Sequence, residues 1–317
     1  MPPSDSHLFG PLVSARDLDA QRRLFVSVLG MEERGETVLG ARDAGVLLGA
    51  GAGETSVVAL QTPGAVAGAV VCRFEAPSDE TVRDPAAPLD RDAFKVIDFH
   101  APDLAAAAAQ AAAAGFDVTA PDGEYDMAGT GLREAHVRGA DTLTVALLGG
   151  APGALDPYVR VTDRAVSEVL GITAPVSDVD AAAAFCADVF GWKVVHEYVV
   201  DGASVADLVG AGTRVRMEGC CVGTAADEPY IGLVRYVVER GGEAGASLRG
   251  RAVPPRRGLL GAVVVTGDLD GVRDRAGVLA GETVGLTLAP FGETRAAVVH
   301  PPSGVPHLVI EVQGDQA

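Results

Sequence analysis

Residues 174–192 read APVSDVDAAAAFCADVFGW, and the punctuation of this stretch decides the fold. An apolar run leads into Ser177 and Asp178, whose side-chain oxygens can accept from the free N–H groups of a first helical turn. An alanine-rich segment follows, with Val179, Ala183 and Cys186 on one face. Gly191 closes it, because glycine takes the left-handed conformation of a helix stop without a Cβ clash. A strand, a capped helix and a stop are therefore expected in one short segment.

The same punctuation recurs as VSARDLDAQRRLFVSVLGM from Val13, FHAPDLAAAAAQAAAAGF from Phe99 and VVVTGDLDGVRDRAGVLAG from Val263. The anchors Asp17, Asp103, Asp178 and Asp268 stand 86, 75 and 90 residues apart. The first and third are separated by 161 residues and the second and fourth by 165, the spacing of a duplicated pair of modules. Ser14, Asp17, Ser177 and Asp268 are the candidate caps, and Gly30, Gly115, Gly191 and Gly281 the candidate stops. After each helix come short Val-, Leu- and Thr-rich runs. In the first unit these are 36–39, 44–48, 56–60 and 69–74, and in the fourth 283–288, 294–299 and 307–312. One strand, one helix and three strands per unit predict an α+β protein of four βαβββ modules. The linker GGAPGALD at 149–156 divides it into residues 1–150, modules one and two, and residues 151–317, modules three and four.

A length of 317 residues supports two domains. With 48% hydrophobic and 21% charged residues, the chain is neither disordered nor a coiled coil. The net charge of −18 repels a phosphate backbone, and the densest basic group, Arg249, Arg251, Arg256 and Arg257, does not reverse it, so no nucleic-acid partner is expected. No apolar run approaches the roughly 18 residues that cross a bilayer, and MPPSDSHLFGPL has no signal-peptide pattern. A cytoplasmic protein, monomer or homodimer, without membrane contact is the expectation. Cys72, Cys186, Cys220 and Cys221 form no CxxC pair and read as buried small side chains.

VSDVDAAAAFCADVFGW at 176–192, with HPPSGVPHLVIEV at 300–312, resembles the vicinal oxygen chelate superfamily, which includes glyoxalase I, the bleomycin-resistance proteins and the extradiol dioxygenases. The resemblance implies two tandem glyoxalase-like domains with curved mixed sheets around clefts that bind a small molecule. It also implies metal ligands: a His seven residues before each anchor Asp and a Glu four after the closing Gly. Those positions hold Gly10, Val96, Gly171, Gly261 and Leu308, none of which ligates a metal, although a longer turn would bring Glu311 into place. No cofactor is therefore expected, and a divalent metal (Fe, Mn, Ni or Zn) held through displaced positions stays an open alternative.

Val96, Asp98 and His100 alternate on one predicted strand, so Asp98 and His100 are the candidate catalytic base and acid. Glu75, Glu239, His307 and Glu311 are further polar candidates on last strands. Trp192, Tyr198, Tyr230 and Tyr236 concentrate in the third unit. Tyr236, Arg235, His307 and Trp192 are the candidate ligand-binding residues. GxSxG and HExxH are absent. The expected function is binding and transformation of an apolar or aromatic small molecule of specialised metabolism without the usual metal. The alternatives are a non-catalytic protein that sequesters an antibiotic, and a metal-dependent dioxygenase, lyase or isomerase with displaced ligands.

Overall fold

The structure is a computed structural model and is described for residues 6–119, 131–151, 153, 155–201, 203–238 and 245–312. The first module runs β1 (His7–Ser14), α1 (Leu18–Arg22, continued by a π-helical turn Arg23–Val28), β2 (Glu32–Leu39), α2 (Ala41–Leu47), β3 (Thr55–Gln61) and β4 (Gly68–Phe74). The second comprises β5 (Val96–His100), α3 (Leu104–Ala113), β6 (Asp117–Thr119), β7 (Arg133–Arg138) and β8 (Thr144–Gly149). The third comprises β9 (Val169–Pro175), α4 (Val179–Phe190), β10 (Lys193–Asp201), α5 (Ala203–Val209), β11 (Val215–Gly223) and β12 (Tyr230–Val238). The fourth comprises β13 (Gly258–Thr266), α6 (Leu269–Ala276), β14 (Val284–Leu288), β15 (Gly292–Val299) and β16 (His307–Glu311).

The four βαβββ modules form two mixed eight-stranded sheets. All four anchor aspartates cap their helices: Asp17 accepts from Asp19 N–H, Asp103 from Ala106, Asp178 from Ala181 and Asp268 from Gly271. Ser14 and Ser177 are engaged elsewhere, donating to the Arg256 carbonyl and to Asp92. Gly30, Gly115 and Gly191 have the expected positive φ, whereas the fourth helix stops at Gly277 (φ 58°) rather than Gly281. The run 44–48 is not a strand. It falls in α2, where Ala44 and Leu47, one helical turn apart, bury one face in the first sheet.

The modules do not pair in sequence order. Module one joins module four in the order β14-β15-β16-β13-β1-β4-β3-β2, and module three joins module two as β10-β11-β12-β9-β5-β8-β7-β6. By sheet, module one therefore goes with four and three with two, whereas the order along the chain sets one beside two and three beside four. The pairing is carried by the two central antiparallel seams, β1 with β13 and β5 with β9, where first strands of different modules satisfy each other's backbone groups.

The helices α1, α3, α4 and α6 share one continuous apolar core with residues of both sheets. The two concave faces differ. In the first sheet the edges β2 and β14 meet, with Thr37 Oγ1 donating to the Thr287 carbonyl at 3.0 Å. The near-barrel that results is filled by Phe9, Phe74, Leu260, Val263 and Leu47. In the second sheet the concave face encloses a cavity.

Candidate functional site

The second sheet's cavity has a volume of about 580 Å³, within the range of small-molecule sites. Its floor follows from register. Asp98 on β5 stands opposite Ala146 on β8, which stands opposite His136 on β7. On its other side Asp98 faces Gly171 on β9, which faces Tyr230 on β12. The positions flanking Asp98 in this row are thus two small residues, and the Tyr230 ring lies over Gly171. Asp98 and His136 lie two strand spacings apart, roughly 10 Å, across Ala146.

Alternation on β7 points Glu134, His136 and Arg138 to this side, and all three line the cavity. His136 Nε2 and Glu134 Oε1 are 2.6 Å apart and both side chains are buried. Burial, and then the Glu134 charge, push the Asp98 carboxyl well above its usual range, opposed in part by the Thr173 hydroxyl donating to Oδ2 at 2.8 Å. Asp98 therefore holds its proton to higher pH than a solvent-exposed carboxyl does. Burial likewise pushes the phenols of Tyr198, Tyr230 and Tyr236 upward, so they stay hydrogen-bond donors.

Lys95 precedes β5 and reaches the wall. Its ammonium donates to the carbonyls of Pro88 at 2.9 Å and Val209 at 3.2 Å, and to the Tyr236 hydroxyl at 3.3 Å. It lies 5.1 Å from the centre of the Tyr236 ring. Burial, followed by the neighbouring Arg83 and Arg138 charges, lowers its pKa to about 7.

Of the residues singled out from sequence, Asp98 and Tyr236 line the cavity together. His100 does not reach the wall. Its backbone N–H donates to Ser167 Oγ at 3.0 Å, its ring Nδ1 is buried without a partner, and burial lowers its pKa. Arg235 is exposed on the opposite face of β12, paired with Glu218. Trp192 is core: its indole N–H donates to the Ser6 carbonyl at 2.7 Å and its ring packs on Phe190 at 4.9 Å. His307 stacks on the other side of that cluster, 5.5 Å from Phe190, with Nδ1 on the Val305 carbonyl and a pKa lowered by burial to about 4. Glu311 pairs with Arg295, Glu75 is exposed, and Glu239 lies outside the described residues. The four cysteines are free and buried, with Cys221 on the cavity wall.

Lys95, Glu134 and His136 were not singled out. The signal for the last two was present in REAHVR at 133–138, whose polar residues alternate with apolar ones, whereas nothing local to Lys95 marks it.

The metal positions that the sequence resemblance implies do not suit ligands in this structure. A Cβ at Gly171 would lie 2.6 Å from the Tyr230 ring, and one at Gly10 or Gly261 would strike the backbone of Gly68 or Pro306. Among the described residues no group of three His, Cys, Asp or Glu side chains is arranged to hold an ion.

No protein-family model and no curated protein matches the sequence. Among solved structures, glyoxalase I from Zea mays superimposes with a TM-score of 0.61 at 12% identity, covering 96% of this chain and 92% of that one. A putative dioxygenase from Bacillus subtilis superimposes with a TM-score of 0.59 at 12% identity, covering 99% and 87%. At such identities the likeness establishes the fold.

Proposed function

The chain has the tandem-module fold of the vicinal oxygen chelate superfamily, and we propose that its second sheet binds and transforms an apolar or aromatic small molecule by acid–base chemistry of its own side chains. The observation that carries this reading is the 2.6 Å Glu134–His136 pair, which lines a cavity of about 580 Å³ together with Asp98, a buried carboxyl pushed well above its usual range. Glu134 orients the imidazole of His136 through the 2.6 Å contact, so His136 is the base. Asp98, its carboxyl pushed upward by burial and held by Thr173, is the acid that donates toward developing negative charge. The phenols of Tyr198 and Tyr230 offer flat surface and further donors to a planar ligand. No step in this chemistry needs a metal. His100, proposed from sequence as the acid, keeps at most a supporting place behind Asp98.

The test is a binding screen of aromatic and alicyclic compounds, with each binder followed by NMR for conversion or for exchange of carbon-bound hydrogen in D2O. Asp98→Asn and His136→Gln should keep binding and lower the rate by about 10²- to 10⁴-fold. A tight binder that the parent protein never converts, held equally well by both variants, would replace the enzyme reading with a sequestering protein. Stoichiometric Fe, Mn, Ni or Zn in the purified protein would overturn the metal-free chemistry.

A further inference from the structure

The cavity gathers three cations, Arg83, Lys95 and Arg138, in a chain with 43 acidic and 25 basic residues. Each is held by neutral oxygens. Arg83 donates to the Ala93 carbonyl at 3.1 Å and to the Asp90 carbonyl, and Arg138 to the Thr144 hydroxyl at 2.7 Å. Lys95 donates to two carbonyls and a phenol. Among the described residues none of the three has a carboxylate within the 4.0 Å of an ion pair. The nearest acid on the wall facing Lys95, Glu134, is already bound to His136. Asp84 and Asp117 line the cavity without pairing to these cations. Three like charges without a counter-ion on one half-buried wall are unfavourable unless an anion joins them.

We propose that the ligand of this cavity carries an anionic group, a carboxylate in its simplest form, seated on Lys95 between Arg83 and Arg138, with its apolar body over Tyr198 and Tyr230. This rests on the cavity being the ligand site, as argued above, and narrows its substrate to aromatic or alicyclic acids. Two elements set up the arrangement. The segment before β5 supplies Arg83 and Lys95, and the end of β7 supplies Arg138. The Val209 carbonyl, at the end of α5, fixes the Lys95 ammonium.

The chemistry gives a distinctive pH signature. Lys95 faces Arg83, Arg138, Glu134 and the Tyr236 phenol, and its pKa is about 7. A bound carboxylate favours the charged ammonium and raises that pKa, so binding takes up a proton above pH 7 and weakens as pH rises.

The experiment is calorimetric titration of the full chain with 2-naphthoate and its neutral counterpart 2-naphthamide, at pH 6.0 and pH 8.5. Naphthoate should bind about tenfold more tightly at pH 6.0 than at pH 8.5, and naphthamide equally at both. Lys95→Met should abolish the pH dependence and weaken naphthoate while leaving naphthamide unchanged. Arg138→Gln, at an exposed side chain, should weaken naphthoate alone and keeps the test decisive if Lys95→Met does not fold. Equal binding of the two probes at pH 6.0 overturns the anionic ligand and leaves the cavity's acid–base reading standing. Binding of neither probe overturns both.

Discussion

Replacing Asp98 with asparagine tests the electrostatics of the site without needing a ligand. Asp98 is 6% exposed, accepts from Thr173 at 2.8 Å and stands near Glu134. Asparagine keeps the shape and the acceptor but cannot ionise. In the unfolded chain an Asp titrates near pH 4, whereas in the fold burial and Glu134 move it well above. A raised folded pKa means that the folded state holds the proton longer. Its contribution to stability is fully present below about pH 4 and is lost as pH rises toward the folded pKa. The loss amounts to about 1.4 kcal/mol per pH unit across that window. Urea unfolding of both proteins from pH 4 to pH 8 should show near-equal stability at pH 4. A growing advantage of Asp98→Asn should follow with about that slope, then a plateau above the folded pKa. A pH-independent difference would mean that Asp98 ionises normally, and its assignment as the acid would be withdrawn.

Three other substitutions probe separate parts of the account. Gly171→Ala places a Cβ 2.6 Å from the Tyr230 ring and should destabilise by about 1–3 kcal/mol in chemical unfolding, while reshaping the cavity floor enough to weaken ligand binding; full stability would show that the ring is not seated there. Trp192→Phe removes the donor to the buried Ser6 carbonyl and should cost about 1–3 kcal/mol in the same assay, with ligand affinity unchanged, since the ring packs in the core. Arg235→Ala breaks an exposed pair with Glu218 and should change stability by less than about 1 kcal/mol and ligand affinity not at all; a large affinity loss would return Arg235 to the site.

The modules were legible because their signals are local. An Asp cap, an alanine-rich helix and a stopping glycine repeat at readable intervals, and each Asp caps as expected. Which module pairs with which depends on contacts such as β1 with β13, some 250 residues apart, and no local pattern encodes them. The run 44–48 misled because a short apolar segment fits a strand or a helix, and only its place at the mouth of the first sheet settles the matter. Within the site, Asp98 was legible from alternation along β5. The same alternation carried one step further picks His100, whose backbone N–H Ser167 holds behind the wall. Trp192 and His307 were chosen for their chemistry, yet both pack around Phe190, a fact of tertiary structure alone.

The central claim is that one of the two sheets works as a binding site while the other is a filled scaffold. A crystal structure of the protein with a bound aromatic acid tests it most directly. The expected result is one ligand per chain, over Ala146 between Asp98 and His136, and none inside the first sheet among Phe9, Phe74 and Val263. A ligand within the first sheet, or one bound away from Asp98 and His136, would contradict it.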